Sequence, residues 1–154
     1  MARAQGLCLR RAGRARQVLV GRGSSTPGST RSTTAVDTDF AITLCHVLAD
    51  GTVNTIQDGI IRARHRDGAG DAPDLVPGAV ECYAIGMSAT SYLVPAGDRL
   101  RIDVASTCFD RYDRNTDSGE PTGRGTRIVV AEQAVHHAAA TPSHVVLPVI
   151  PAAS

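Results

Sequence analysis

Apolar and polar positions alternate with a period of two along most of the chain from Asp37 onward, the spacing of β-strands whose two faces meet different surroundings. Phe40, Ile42 and Leu44 stand against Ala41, Thr43 and Cys45. Ala49-Asp50-Gly51 then reads as a hairpin turn, with Gly51 supplying a positive φ, and 53–56 returns as a second strand. Asp58-Gly59 breaks that run. Ile61, Ala63 and His65 next alternate with Arg62, Arg64 and Arg66, a half-buried strand with one basic face. A Gly-, Asp- and Pro-rich loop, 67–78, closes at Pro77-Gly78. Val80, Cys82 and Ala84 open the following strand, which runs through Met87; 91–94 is extended and ends at Pro95-Ala96-Gly97-Asp98. Leu100, Ile102 and Val104 against Arg99, Arg101 and Asp103 form the clearest strand of all. Residues 126–131 and 144–150 read as the last two, and Pro148 places the latter at an edge or a bulge. Only 131–140 has room for a brief helix. The pattern predicts an all-β protein, an antiparallel β-sandwich of jelly-roll or similar type.

Between two of these strands lies the least ordinary stretch, 106–121. It holds two of the five aromatic residues, Phe109 and Tyr112, together with Asp110, Asp113, Asp117, Glu120, Arg111 and Arg114. A loop carrying two aromatic rings is expected to be ordered against something, with Phe109 and Tyr112 pinning it and its charges cross-bracing it.

Composition narrows the picture. The 154 residues form at most one domain with a real core. Aromatic content is 3% and Trp is absent, so the core must be aliphatic. The net charge of +1 conceals a division: 1–31 carries seven Arg and no acid, whereas the rest sets nine Arg against 15 acidic residues. A basic nucleic-acid surface would have to be the leading segment alone, which has no aromatics for stacking, so no nucleic-acid partner is expected. No apolar run reaches the length of a membrane span, and Val18-Leu19-Val20 is too short for a secretory signal; the expectations are no membrane partner and a cytoplasmic location. Residues 1–33 read as a disordered Arg- and Ser-rich leader, and 34–152 as the folded domain. Cys8, Cys45, Cys82 and Cys108 form no C-x-x-C pair, and Cys45 and Cys82, within strand patterns, read as buried structural thiols.

Several motif-like strings lack the spacing their chemistry needs. Gly86-Met87-Ser88-Ala89-Thr90 lacks the second glycine of a serine-hydrolase elbow and sits between strands, so Ser88 reads as structural. Asp113-x-Asn115-x-Asp117 begins like a calcium loop, but Ser118 stands where a glycine is needed and Arg124 where a bidentate Glu is needed. His136-His137 and His144 lack a zinc-site spacing, and adjacent residues of an extended chain point to opposite faces. No cofactor, metal or catalytic residue is assigned. Arg62, Arg64 and Arg66 fit either a solvated face or a contact with an acidic neighbouring domain.

A series of segments resembles one family. Residues 34–40 (TAVDTDF) followed by Ile42-Thr43-Leu44 are similar to the opening of the C-terminal domain of the CocE/NonD serine hydrolases, which include cocaine esterases and Xaa-Pro dipeptidyl-peptidases. The likeness continues through Val47-x-x-Asp50-Gly51, Asp58-Gly59-Ile60-Ile61-Arg62-Ala63-Arg64, Leu75-x-Pro77-Gly78 and 95–101 (PAGDRLR). Phe109-Asp110-Arg111-Tyr112-Asp113-Arg114-Asn115 with Gly119 resembles the family's F-P-R-F-D-R-N…G, with Asp110 where the family has proline. Residues 142–151 resemble its terminal strand. The resemblance covers about 33–151 and implies a non-catalytic jelly-roll, galactose-binding-like domain that supports an α/β-hydrolase domain. The Ser-His-Asp triad belongs to that hydrolase domain, and none of its motifs is present, so the chain is expected to be inactive alone. Phe109, Arg111, Tyr112, Asp113, Arg114 and Asn115 become landmark residues and candidates for the interdomain contact. A bared contact surface also implies self-association. The alternative from a different class is a stand-alone carbohydrate-binding module, which would have only Tyr83, Tyr92 and Tyr112 as aromatic platforms.

Overall fold

In a computed structural model of the chain, the structure describes residues 5–9, 16–20, 29–68, 73–147 and 149–150. Among the described residues, ten strands run in the order β1 (Gln5–Leu9), β2 (Arg16–Val20), β3 (Ser29–Thr33), β4 (Asp39–Val47), β5 (Val53–Arg62), β6 (Glu81–Tyr83), β7 (Thr90–Val94), β8 (Arg99–Ala105), β9 (Gln133–Val135) and β10 (Val149–Ile150). Every pairing is antiparallel. The sheets are β1-β8-β4-β5, β10-β2-β7 and β6-β3-β9. The longest helical element among the described residues is a single 3-10 turn, Ala63–His65. The all-β antiparallel sandwich expected from the alternation is the one observed.

β4 lies between β5 and β8 and is buried on both faces, with only Thr43 half-exposed. Its alternation therefore sorts two interiors and not an inside from an outside. Leu44 and Ile102 centre one apolar cluster, joined by Ile56, Met87, Val94, Leu100, Val104, Val145 and Leu147. Phe40, Ala63, Leu75 and Tyr83 form the second, with the Phe40 and Tyr83 rings tilted at 54° and 4.8 Å between centroids. Arg31, 1% exposed, lays its guanidinium 4.7 Å over the Phe40 ring. Burial lowers the Arg31 pKa to about 10 and pushes the Tyr83 hydroxyl up to about 12.

The turns follow the sequence reading. At 48–52, Leu48 and Thr52 close the hairpin, Gly51 has φ +90°, and the Asp50 carboxylate accepts from the Thr52 amide at 2.8 Å. Other expectations need correction. The segment read as a leader, 1–33, supplies three strands; β3 is the middle strand of its sheet. It has no apolar residue to signal a strand, and the β6 and β9 backbones hold it instead. Asp58-Gly59 does not separate two strands: β5 runs unbroken through it, with a bulge opposite Leu44/Cys45. The expected strand at 126–131 is irregular, 133–135 is a strand and not a helix, and 144–147 is irregular before β10. Cys82 is exposed, although Cys45 is buried as expected; the Cys8 side chain, Pro148 and Pro151 lie outside the described residues.

Gly59 explains why β5 tolerates a glycine. A Cβ there would sit 2.3 Å from the Gly86 carbonyl oxygen, a backbone atom that cannot swing aside. The glycine is a close approach between β5 and the β6–β7 connection. Gly59→Ala is therefore expected to destabilise the domain by about 1–3 kcal/mol. Urea denaturation checks this, and an unchanged midpoint would show that the two backbones do not touch in solution.

Candidate functional site around the 108–121 loop

The loop is organised from beneath by two aspartates that flank Thr38 at the start of β4. Asp37 and Asp39 are 3% and 2% exposed, two carboxylates of like sign side by side in the interior. Each is answered by an arginine. Asp39 takes a two-pronged bond from Arg62, Nε to Oδ1 at 2.9 Å and Nη2 to Oδ2 at 3.1 Å. Asp37 pairs with Arg64 Nε at 3.0 Å and also accepts from the Arg64 backbone amide at 3.3 Å. Asp39 raises the Arg62 pKa further by accepting its hydrogen bonds. Arg64 reaches on to Asp74 and to the Gly119 carbonyl, at 3.0 and 3.1 Å, and Arg66 lies 3.7 and 3.8 Å from Asp67 and Glu81. The three arginines are thus paired within the domain, and neither a solvated basic face nor an acidic neighbour is needed to explain them.

Asn115 completes this node. Its Nδ2 donates to Asp37 Oδ2 at 3.0 Å and to Asp39 Oδ1 at 2.9 Å, so one amide bridges both buried carboxylates. Its Oδ1 accepts from the Asp117 amide at 3.0 Å, shaping the turn. Asn115 and Asp117, two of the three residues of the calcium-like string, therefore serve as an internal brace. Among the described residues, no group of three or more His, Cys, Asp or Glu is placed to hold a metal. Glu120 Oε2 accepts from Ser118 Oγ and from the amides of Thr126 and Arg127, which closes the far end of the loop. At Gly119 the backbone has φ +77°, and a Cβ would lie 3.0 Å from Val36 Cγ2.

The tip of the loop behaves differently from its base. Arg111 Nε pairs with Asp58 of β5 at 2.6 Å, and its guanidinium lies 5.6 Å from the Tyr112 ring centre. Tyr112 is half-buried. Phe109, read from sequence as an inward pin, is 64% exposed; the exposed Arg114 covers its ring at 5.0 Å. Arg111 holds the tip in its place. Asp113 is exposed and adds negative charge near Arg62. The Phe109–Asp110 peptide bond is cis.

The other candidates are scattered. Ser88 is exposed between β6 and β7. His136 Nε2 lies 3.0 Å from Ser32 Oγ, His137 is half-buried and His144 is exposed. Among the described residues, the three tyrosines form no carbohydrate platform: Tyr83 is 1% exposed, Tyr92 is hydrogen-bonded to His46, and Tyr112 is half-covered beside Arg111. The sequence reading missed the aspartates. Their signal was present as Asp37-x-Asp39 and Arg62-x-Arg64, opposite charges at the same spacing on neighbouring antiparallel segments.

Two outcomes follow. Asn115→Ala leaves two buried carboxylates short of a donor and is expected to cost about 1.5–3 kcal/mol by chemical denaturation. Asp117 has an unpartnered buried Oδ1, and burial raises its pKa above 3.8. The fold then binds that proton more tightly than the unfolded chain does. Its contribution favours folding at low pH and is lost as pH rises through the raised value. Asp117→Asn should accordingly melt about 1–3 °C higher at neutral pH. That gain should shrink as the pH is lowered toward 3.8; a gap independent of pH in thermal melts contradicts it.

The comparisons with known proteins agree with this architecture. A family model described as the X-Pro dipeptidyl-peptidase C-terminal non-catalytic domain matches residues 23–146. Cocaine esterase from Rhodococcus sp. (strain MB1 Bresler) is 36% identical over 121 residues, covering 77% of this chain and 21% of that protein. Among solved structures, an aminopeptidase from a marine sediment archaeon, Thaumarchaeota archaeon, superposes with a TM-score of 0.82 at 22% identity, over 96% of this chain and 26% of that one. An α-amino acid ester hydrolase superposes with a TM-score of 0.77 at 21% identity, over 96% and 25%. The chain spans about a fifth of the length of the curated relative. The family match, which begins at residue 23, also takes in β3. With most of its length matched and the sandwich in place, the chain belongs to the family of X-Pro dipeptidyl-peptidase C-terminal non-catalytic domains of CocE/NonD-type hydrolases.

Proposed function

We propose that this sandwich supports the α/β-hydrolase domain of a CocE/NonD-type enzyme, docking on it through the tip of the 108–121 loop and helping to wall its substrate pocket. The match to a non-catalytic domain family over 23–146 carries this reading. In it, the Ser-His-Asp machinery for ester or Xaa-Pro substrates comes from the hydrolase domain. The tip has the make-up of an interface anchor: an exposed Phe109 under an arginine, on a base fixed by buried ion pairs. Without the hydrolase, two copies would bury the same ring, which makes weak self-association part of the proposal. Free Cys45, Cys82 and Cys108 suit a reducing compartment, in keeping with a cytoplasmic protein.

The test mixes the chain with a CocE/NonD-type α/β-hydrolase domain and follows turnover of an activated ester and of a chromogenic Xaa-Pro dipeptide. The chain alone should give no saturable turnover, and adding it should raise the melting temperature of the hydrolase domain. Phe109→Ser and Arg114→Ala should leave the chain's own melting within about 2 °C, since both side chains are exposed, while weakening that effect about tenfold or more in titration. Saturable turnover by the chain alone sinks the supporting role; undiminished docking by both variants moves the contact elsewhere.

A further inference from the structure

We infer that Tyr92 is a nucleophile for activated acyl groups, armed by His46 and Asp98. This inference is independent of the hydrolase-domain reading. The three side chains come from β4, β7 and the turn that joins β7 to β8. His46 is 6% exposed; its Nε2 lies 2.7 Å from Asp98 Oδ2, and its Nδ1 lies 3.0 Å from the Tyr92 hydroxyl. The imidazole and phenol rings meet edge-on at 76° with 5.5 Å between centroids.

With Asp98 ionised and the imidazole neutral, the order of bonding sets the roles. An ionised carboxylate only accepts, so Nε2 carries the proton and donates to Asp98. In the neutral ring, Nδ1 is then the lone-pair nitrogen and accepts from the Tyr92 hydroxyl. This is the sequence carboxylate, imidazole, hydroxyl that activates nucleophiles generally, at a base-to-hydroxyl distance within the productive range of about 2.6–3.2 Å. A buried histidine needs both nitrogens satisfied, and a structural tie between sheets would meet that need too. The tie explains the burial of His46 and Asp98. It does not require the third member to be the hydroxyl of a half-buried tyrosine, 3.0 Å from Nδ1. The other tyrosines differ: Tyr83 is enclosed at 1% exposure, and Tyr112 lies beside a guanidinium and not a base.

The step balances without any further reagent. Tyr92 Oη attacks the carbonyl carbon of an activated ester while its proton passes to His46 Nδ1, and Asp98 stabilises the imidazolium. The tetrahedral intermediate collapses with cleavage of the ester C–O bond, and the leaving oxygen takes the proton back from Nδ1. The products are O-acyl-Tyr92 and the free alcohol or phenol. One acyl group is transferred per chain, which differs from turnover.

The test is acetylation by p-nitrophenyl acetate at neutral pH, with exposed thiols alkylated beforehand, read by peptide mapping against time. Acetyl should accumulate on Tyr92 at least about tenfold faster than on Tyr112 in the same unmutated chain. Asp98→Asn should slow the Tyr92 reaction by a similar factor, and Tyr92→Phe should abolish that adduct. An absence of acetyl at Tyr92, or equal rates at Tyr92 and Tyr112, overturns the inference with no variant needed. An Asp98→Asn chain that folds by circular dichroism and labels at the original rate overturns it as well.

Discussion

Two carboxylates cannot sit side by side in a protein interior unless each is neutralised, and this domain is built around meeting that demand at Asp37 and Asp39. Arg62 and Arg64 answer them from the end of β5 and the 3-10 turn, which fixes where β5 stops and how the chain bends. The same requirement captures Asn115 and through it the base of the 108–121 loop. Removing one charged member would leave its partner buried and uncompensated, at a cost of about 3–5 kcal/mol. The node thus acts less as a source of net stability than as a specification of which segments must meet.

The sequence carried the strand content well because alternation is local. Leu100, Ile102 and Val104 announce β8 without help from the rest of the chain. It carried the ends of strands poorly wherever another backbone decided the matter. Gly59 reads as a break but is a point where two backbones touch, and that contact belongs to Gly86 as much as to Gly59. β3 has one buried arginine and no apolar residue, so its place in a sheet depends on β6 and β9. The 108–121 loop is legible as a place of interest, but which of its residues face inward is not. Asn115, expected to be part of a contact surface, is internal glue, and Phe109, expected to be a pin, faces outward. Residue type alone gives no side to an aromatic ring in a loop; the partner over it does.

Two sets of polar groups in the interior differ in what they join. The aspartate–arginine node joins the loop to one sheet. The His46–Asp98–Tyr92 chain joins two sheets where β7 gives way to β8. Between them lie the apolar clusters around Leu44 and around Phe40, which supply burial but little direction. Directional bonds at both ends of β4 hold the register that the apolar contacts would leave loose.

β3 also has a bearing on how such a domain can be inherited. Among the described residues, β6 and β9 do not pair with each other, and each pairs only with β3. A recombination joint placed at Thr34, where the resemblance to related domains first becomes easy to see, would remove the strand that joins them and the arginine that roofs Phe40. The unit that can be moved intact from one polypeptide to another therefore starts upstream of Ser29, among residues with little hydrophobic signature of their own.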